Sequence, residues 1–442
     1  MDTKNKTDVI VVGAGPAGIA CAIEIARCGK KVVLLERAHY AGSKNMYGGA
    51  VYTCALREIF SDEIENIPYE RVINSHTWSF LTKDSSFDLT YKNSSSKSAL
   101  AIKRHNLENW MINYAKNHGV YFCPDTLVKE LIIENDVVRG VKTELEDYFA
   151  PVTVLADGVN SLLARQLKLR KDYKPKDIIL SVKEVLKLDK KTIENRFNLK
   201  EDGSNGVNKQ YFGADFDELK DYKNLFMMTY LYTFKDSVAL GVGVNLEDLS
   251  QNNLNINDVL EAIKNHPDIK PLIQDGETIE YSAHLIPEGG FKTLPQLYSN
   301  GVLIAGDAAG FVNGVHFEGT NFALISGKLA AKAALDALEK QDYSSNTLKT
   351  YKKYLENSFI LKDLYSYRNI IHLLYSRRYS LSYFYPQKIK EFSEIITSAN
   401  CISKASQIRK FTIDILKQRG LIEIFKDIIA FSRCAIDLFF GK

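Results

Sequence analysis

The chain has 442 residues, of which 45% are apolar and 25% charged, so it is long enough for two or more lobes with large cores. Its formal net charge is only +3 and it has no basic stripe with interleaved aromatic residues, which argues against nucleic acid as a partner. Six scattered cysteines include no C-x-x-C pair. This spacing predicts no metal site, no chain-borne iron–sulfur cluster and no disulfide framework, as is typical of a reducing cytoplasm.

The charge is unevenly distributed. Residues 343–442 contain 17 Lys and Arg against 8 Asp and Glu, a balance of +9 that suits anionic lipid or an acidic partner. We expect no signal peptide before Thr7, and no window of about 20 apolar residues is present. The expected location is therefore the cytoplasm, either free or peripheral on the cytoplasmic face of a membrane.

The first 37 residues have the order strand, glycine turn, helix, strand and acid. An apolar run at 9–12 leads into Gly13-Ala14-Gly15-Pro16-Ala17-Gly18, a helical pattern covers 19–28, and a second apolar run at 32–35 ends at Glu36. In such a turn the first glycine permits the tight bend, the second admits a pyrophosphate, and the third lets helix and strand pack closely. Glu36 stands where a carboxylate accepts ribose hydroxyls, so the pattern indicates a dinucleotide-binding unit.

Two later segments have the same character. An apolar strand within 152–161 ends at Asp157-Gly158, and another within 301–310 ends at Gly306-Asp307 before a helical pattern at 321–338. Strand ends that lead into a helix are where α/β sheets bind ligands. Asp157 is also compatible with a simple turn that caps its strand.

These three segments together resemble the FAD-dependent oxidoreductases with a p-hydroxybenzoate-hydroxylase-like fold. The resemblance implies FAD rather than NAD as the bound nucleotide. It places Arg104 near the flavin, although a solvated charge at a helix start near Asn106 is an equal alternative, and it places the backbone of Val128 at the adenine. The FAD-binding residues that it implies are Gly13, Gly15, Pro16, Ala17, Gly18, Glu36, Arg37, Asn45, Gly48, Gly49, Arg104, Val128, Asp157, Gly306, Asp307, Gly319, Thr320 and Asn321.

The predicted fold class is α/β, with a Rossmann-like FAD-binding domain, an inserted antiparallel-sheet substrate domain and a C-terminal helical region. Residues from about 175 to 286 alternate as antiparallel strands with one helix near 256–265, and two helical stretches follow Ser344. The predicted FAD-binding domain covers 1–174 and 285–342, the substrate domain 175–284, and the helical region 343–442.

Two passages are more specific, namely A-G-S-K-N-M-Y-G-G-A-V-Y at 41–52 and the run from H-L-I-P-E-G-G to I-A-G-D-A-A-G-F-V-N at 284–313. Both look like the FixC-type FAD subunit of the electron-transfer flavoprotein–quinone oxidoreductases. The resemblance covers residues 7 to about 340 in order and the last hundred more loosely. It implies electron transfer from an electron-transfer flavoprotein through FAD to a quinone at the membrane.

One departure concerns iron–sulfur chemistry. The larger quinone oxidoreductases of this family carry a C-terminal cluster domain with four cysteine ligands, whereas this chain has only Cys401 and Cys434 there. In the Fix-type arrangement the cluster lies on a separate small ferredoxin-like protein. We therefore expect a ferredoxin-like iron–sulfur subunit among the partners.

The chemistry requires no catalytic acid, base or nucleophile from the chain, because the cofactor carries the redox step. The flavin ring is expected between the 41–49 loop and the 313–321 turn, with backbone N–H groups at 319–321 facing its O2 atom. His316 and Glu318 are either proton donors to a quinone or ordinary turn residues.

Several alternatives stay open. The apolar periodicity of 421–439 fits a helix packed in the core or one docked at a membrane interface. A polyprenyl lipid reductase, for which the small molecule is lipid-like, shares the FAD motifs, as does a flavin monooxygenase reduced by NAD(P)H. A non-enzymatic, flavin-loaded assembly subunit is a further alternative.

Overall fold

The computed structural model describes residues 6–43, 49–93, 95, 97–213, 216, 219 and 225–440. Its strands are β1 Val9–Val12, β2 Val32–Leu35, β3 Gly49–Tyr52, β4 Arg71–Leu81, β5 Ser86–Lys92, β6 Ala99–Ile102, β7 Tyr121–Cys123, β8 Val128–Glu134, β9 Val137–Thr143, β10 Asp147–Phe149, β11 Val152–Leu155, β12 Ile178–Lys187, β13 Asn205–Phe212, β14 Met227–Thr233, β15 Ser237–Asn245, β16 Glu277–Pro287, β17 Tyr298–Ser299 and β18 Val302–Ile304. Its helices are α1 Pro16–Arg27, α2 Cys54–Ile59, α3 Arg104–Asn117, α4 Leu162–Gln166, α5 Lys190–Arg196, α6 Leu246–Gln251, α7 Ile256–Asn265, α8 Lys270–Ile273, α9 Thr320–Lys340, α10 Ser345–Leu348, α11 Thr350–Asn357, α12 Phe359–Ser366, α13 Ile370–Ser376, α14 Tyr385–Thr397, α15 Lys404–Arg419 and α16 Leu421–Phe440.

The N-terminal strand–helix–strand unit is confirmed. Strands β1 and β2 have the predicted bounds, and they pair in parallel along their full length. Helix α1 begins at Pro16, three residues before the predicted start. Proline is favourable at a first helical position, because the N–H that it lacks would have no partner within the helix.

A six-stranded sheet organises this part of the chain, with the strand order β17-β18-β11-β1-β2-β7. Strands β18, β11, β1, β2 and β7 run parallel, and only β17 is antiparallel to its neighbour. Every residue of β1, β11 and β18 is buried, as expected for parallel strands covered on both faces. The carboxyl ends of β1, β2, β11 and β18 therefore share one edge, where the predicted ligand-binding segments begin.

Helices α1 and α9 pack together closely. A Cβ atom on Gly327 of α9 would lie 2.0 Å from the carbonyl oxygen of Ala17 in α1. Only a glycine permits this approach. The observed bounds of α9, Thr320–Lys340, also confirm the helix predicted at 321–338.

The chain divides into two units. The first comprises Met1–Glu70, Lys97–Ile178 and His284–Tyr365, and the second comprises Arg71–Ser96, Ile179–Ala283 and Ser366–Lys442. The three-part division predicted from the sequence stays a prediction.

The second unit contains an antiparallel sheet around β12, β15 and β14, which pair in that order over nine and seven residues. Strand β13 joins β14 on one side and pairs in parallel with β4, whose other partner is β5. One large apolar cluster, which includes Val182, Leu231, Leu240 and Ile263, packs on this sheet. The predicted antiparallel character of this region is thus confirmed.

The prediction of a single helix in this region was wrong, because α5, α6 and α8 accompany α7. The three additional helices are seven residues long or shorter, so they complete fewer than two turns. Such short helices do not show a recognisable period in the sequence. Side-chain caps hold two of them: Asp189 accepts from the N–H of Thr192 at 3.1 Å, and Asn245 accepts from that of Glu247 at 3.0 Å.

The region after Ser344 contains seven helices in its described part, not the two stretches predicted. Non-helical backbone separates some of them: Ser358 is extended between α11 and α12, and Gly420 has a φ of +78° between α15 and α16. Helix α16 is amphipathic, but only Asp427 and Ala430 are buried on it. The interpretation of residues 421–439 as a helix packed in the core is therefore wrong. None of the helices in the described ranges has the length and hydrophobicity that crossing a bilayer requires.

Candidate functional site: a dinucleotide site at the strand ends

The glycine turn after β1 has three glycines in three different environments. Gly13 has a φ of +100°, and a Cβ atom there would lie 2.3 Å from the carbonyl oxygen of Ala156. A Cβ atom on Gly18 would lie 1.9 Å from the carbonyl oxygen of Gly13. Nothing lies within 4 Å of the Cβ position of Gly15, the residue that precedes α1. Gly13 and Gly18 therefore permit close backbone contacts that a side chain would block. The backbone at Gly15, by contrast, is open to a ligand at the N-terminus of α1.

Glu36 is fixed by the backbone at the end of β2. Its Oε2 atom accepts from the N–H of Ala14 at 2.8 Å, and its Oε1 atom accepts from that of Ala38 at 2.9 Å. A carboxylate offers about four lone-pair positions, so two remain for hydroxyl donors. The carboxylate is thus oriented before any ligand arrives.

An open cavity of about 200 Å³ adjoins both features. It brings together six of the predicted residues from four separate segments, together with others that the prediction did not include. The predicted lining residues are Gly13, Gly15, Glu36, Arg37, Val128 and Asp157. Additional lining residues include Gly42, Thr126, Ser161 and His284.

Asp157 lines this cavity at the end of β11. Its Oδ1 atom is buried and has no hydrogen-bond partner among the described residues. Burial raises the pKa of Asp157 to about 6, while backbone N–H groups and the positive charge of Arg170 oppose this shift. A buried acceptor oxygen without a donor fits a hydroxyl-bearing ligand such as the ribityl or ribose part of FAD.

A second group of charges surrounds the Gly306-Asp307 turn. Burial raises the pKa of Asp307, while nearby His284, Arg104 and Arg170 oppose this rise. Burial lowers the pKa of His284, and Asp307 opposes that change. The nitrogen atom Nη1 of Arg170 donates to the carbonyl oxygen of Ala308 at 2.8 Å, which fixes the guanidinium beside this turn.

His284 and Arg170 were not predicted as site residues. His284 lies within β16 and Arg170 in the bend after α4, and neither position belongs to a motif whose spacing could mark it. The only signal for His284 was its position as the first residue of H-L-I-P-E-G-G.

The last three predicted FAD-binding residues lie together at the start of α9. Gly319 precedes the helix, and Thr320 and Asn321 are its first two residues. The amide nitrogen of Asn321 donates to Glu318 and to the sulfur atom of Cys54, so its Oδ1 atom points elsewhere and, buried, has no partner in the described structure. The buried Nδ2 atom of Asn313 likewise has none, while its Oδ1 atom accepts two backbone N–H groups. One free acceptor and one free donor fit a polar ring edge such as that of a flavin.

The remaining predicted residues lie as follows. Pro16 and Ala17 are buried in the first turn of α1, and Gly49 begins β3. Arg104 is the first residue of α3, which therefore begins earlier than the predicted start near Asn106, and its guanidinium bonds to Glu108. The predictions for Asn45 and Gly48 lie outside the described residues.

A parallel sheet with a glycine turn, an oriented acid and two later acidic turns at one edge defines a flavin dinucleotide oxidoreductase. The comparisons agree with this class. Residues 8–165 match the family model described as "FAD dependent oxidoreductase".

Curated relatives cover almost the whole chain. The Escherichia coli (strain K12) protein named "Probable electron transfer flavoprotein-quinone oxidoreductase YdiS" is 35% identical over 430 residues, which are 96% of this chain and 97% of that protein. Protein FixC of Azorhizobium caulinodans is 35% identical over 97% of this chain and 98% of its own length. The chain belongs to the FixC family of FAD-dependent electron-transfer oxidoreductases, and its cofactor is FAD.

Solved structures support the fold. A geranylgeranyl bacteriochlorophyll reductase-like protein from Thermoplasma acidophilum has a TM-score of 0.70 at 19% identity, over 94% of this chain and 98% of that chain. The flavin-dependent brominase Bmp2 has a TM-score of 0.65 at 16% identity, over 87% and 90% of the two chains. The predicted α/β class and Rossmann-like FAD-binding architecture are thus confirmed.

Proposed function

We propose that this chain takes electrons from an electron-transfer flavoprotein and passes them through FAD to a quinone. A separate ferredoxin-like subunit supplies the iron–sulfur cluster. The observation that carries the proposal is the near-full-length similarity to YdiS and to the FixC proteins. Bound FAD supplies the electron-transfer chemistry, and the chain binds, orients and shields it.

The site residues have distinct roles in this proposal. The backbone at Gly15 and the start of α1 hold the pyrophosphate, Glu36 holds the adenosine ribose, and Val128 lies at the adenine. Asp157 and Asp307 hold the remaining hydroxyl and phosphate groups, while the start of α9 binds the ring. Residues 1–174 and 285–342 form the FAD-binding domain, 175–284 the substrate domain, and 343–442 a docking region.

Replacement of Glu36 tests the assignment of the ribose site. Glu36→Ala is expected to weaken FAD binding by about 1.5–3 kcal/mol, because one hydrogen bond to a charged group is lost. The dissociation constant is measured by titration of the apoprotein with FAD. Glu24→Ala, which removes a partly exposed acid of α1 that pairs with Arg27, is the control and should leave FAD binding unchanged. Unchanged binding by Glu36→Ala would show that Glu36 has another role.

Anaerobic reduction of the FAD-loaded protein tests the electron donor. Reduced electron-transfer flavoprotein is expected to bleach the flavin rapidly, and a short-chain quinone is expected to restore its colour. Rapid bleaching by NADPH alone, followed by oxygen-dependent product formation, would instead identify a monooxygenase. Turnover of a geranylgeranyl lipid would identify a lipid reductase.

Helices α15 and α16 form the proposed membrane contact. Exposed apolar residues of α16 include Leu421, Ile422, Phe425, Phe439 and Phe440. The exposed basic residues of α15 and α16 are Arg409, Lys410, Lys417, Lys426 and Arg433. A helix with apolar side chains beside Lys and Arg suits an anionic bilayer surface, where it lies in the interface without crossing it.

Liposome co-sedimentation tests this contact. The wild-type protein is expected to bind vesicles of phosphatidylglycerol and phosphatidylcholine more strongly than vesicles of phosphatidylcholine alone. The double variant Ile422→Gln/Phe425→Gln should lose most of this binding, since each side chain is more than 60% exposed and free to enter the interface. Equal sedimentation of the wild type and the variant would contradict the proposal.

A further inference from the structure

A tight loop immediately before α9 contains a histidine and an acid two positions apart, His316 and Glu318. Asn313 and Glu318 close the loop, because each donates its backbone N–H to the carbonyl oxygen of the other, at 2.8 and 3.1 Å. The side-chain oxygen of Asn313 accepts from the backbone N–H groups of Val315 and His316 inside the loop. The loop is thus held by four hydrogen bonds, and the positions of His316 and Glu318 are fixed.

The two residues differ in their access to water. His316 is exposed, whereas Glu318 is only partly exposed. The carboxylate of Glu318 accepts a hydrogen bond from the amide of Asn321, which is 1% exposed. Glu318 therefore contacts a buried residue of the proposed flavin site, while His316, two positions earlier in the same loop, is exposed and close enough for its charge to act on Glu318.

The charged and titratable groups around Glu318 come from several elements. Burial raises the pKa of Glu318, and Asp363 of α12 adds to this rise, while the Asn321 bond and His316 oppose it. Burial also raises the pKa of Asp363. Tyr52 of β3 has a raised pKa, first through burial and then through the charge of Glu318.

Cys54 and its neighbour Glu58 complete the surroundings. Burial raises the pKa of the Cys54 thiol, and the charges of Glu318 and Glu58 add to this rise. The cluster therefore contains three carboxyl groups and one imidazole. Burial and the charge of Asp363 therefore raise the pKa of Glu318 above that of an exposed glutamate.

We propose that Glu318 donates protons to the acceptor as it is reduced and that His316 returns protons to Glu318 from solvent. The inference rests on the proposed function. A quinone takes up two electrons and two protons to become a quinol; the electrons come from reduced FAD, whose own protons leave to solvent, and both quinol protons pass through Glu318 in two successive transfers. In each proton transfer the O–H bond of the Glu318 carboxyl breaks and an O–H bond forms on a quinone oxygen. The carboxylate then regains a proton from the His316 imidazolium, which is reprotonated by water.

The variant Glu318→Gln distinguishes a role of Glu318 in proton transfer from a purely structural role. Its amide oxygen can still accept the hydrogen bond from Asn321, but the side chain cannot carry a proton. Protein reduced anaerobically with dithionite is mixed with a short-chain quinone or with ferricyanide, which accepts electrons without protons. Reoxidation by quinone is expected to slow on the order of 10²-fold, whereas reoxidation by ferricyanide stays within about twofold of the wild type.

The pH profile and a matched variant sharpen the test. The wild-type quinone rate should fall as pH rises through the pKa of Glu318, because only the protonated acid donates. The Glu318→Gln rate should not show this fall. Asp363→Asn, which removes a neighbouring acid that does not bond to Asn321, should slow the quinone reaction far less than Glu318→Gln.

An infrared difference spectrum of flavin reduction gives a readout that does not depend on turnover. The wild type should show a change in a protonated carboxyl band, and Glu318→Gln should lack that change. Equal slowing with quinone and ferricyanide, or an unchanged quinone rate, would overturn the proposal. A wild-type protein that reduces no quinone would instead overturn the proposed function and the quinone as recipient, while the infrared band would still decide whether Glu318 exchanges a proton.

Discussion

Helices α9 and α16 have nearly equal lengths, 21 and 20 residues, and bury opposite kinds of side chain. Helix α9 buries twelve residues, six of them alanines, in close contact with its neighbours. Helix α16 leaves its large apolar residues exposed, and the larger of its two buried residues is the charged Asp427. Apolar packing thus stabilises α9, whereas polar bonds hold α16 and leave its apolar surface available to an external partner.

Removal of the buried acid in α16 should have the largest effect. Asp427 is fully buried and is bonded to Arg419 at 3.0 Å, Tyr385 at 3.0 Å and Ser380 at 3.1 Å. Asp427→Ala removes the principal partner of Arg419, which keeps Ser380 and a 3.8 Å contact with Glu423. We therefore expect a loss of about 3–5 kcal/mol in the stability of these helices.

Hydrogen exchange of α14 to α16 measures this loss, together with urea unfolding. The control is Glu356→Ala, which removes an exposed ion pair with Lys352 and should cost less than about 1 kcal/mol. Equal effects of the two variants would mean that Asp427 does not anchor α16.

A buried acid in the first unit should make stability depend on pH. Burial raises the pKa of Glu288 from 4.5 to about 8. The unfolded chain loses this proton above pH 4.5, whereas the folded chain keeps it until about pH 8. The contribution of the neutral acid is therefore complete below pH 4.5 and is lost as pH rises to 8, by at most about 1.4 kcal/mol per pH unit.

Comparison of the wild type with Glu288→Gln isolates this contribution. The unfolding free energy of the wild type minus that of Glu288→Gln should fall as the pH rises from 5 to 8, at a fixed FAD concentration. Parallel pH curves would show that Glu288 titrates normally.

The contact between α9 and α1 predicts an effect of about 1–3 kcal/mol. Alanine at position 327 gains helix propensity over glycine by about 1 kcal/mol, but its Cβ would meet the backbone oxygen of Ala17 at 2.0 Å. Backbone cannot yield as a flexible side chain does, so we expect Gly327→Ala to destabilise the protein. The control, Lys328→Ala, changes only an exposed ion pair with Glu58. Thermal unfolding measures the stability of both variants. A Gly327→Ala protein more stable than the wild type would show that α1 and α9 separate easily.

These differences also explain which parts of the structure the sequence could predict. The glycine turn and Glu36 were predicted because close packing and ligand approach require particular residues at fixed spacings. Helix α7 was predicted because its ten residues show a clear apolar period, whereas α5 and α8 are too short to show one. His284 joined the site only through the folding of distant segments. The exposure of α16 was not decided by its period, which fits a core and an interface equally well.

Replacing one apolar residue of each helix by glutamine should give the sharpest contrast, and the exposed position should show the smallest effect. Phe425 of α16 is 64% exposed, so Phe425→Gln removes little buried area and introduces a good helix former. Its effect on the free energy of unfolding should lie within about 0.5 kcal/mol. Leu324 of α9 is fully buried, and Leu324→Gln places an amide where water cannot reach it, at a cost of about 2 kcal/mol or more. Urea unfolding measures both variants. A comparable loss in Phe425→Gln would mean that α16 is stabilised by apolar packing after all, and that its surface is not free to dock.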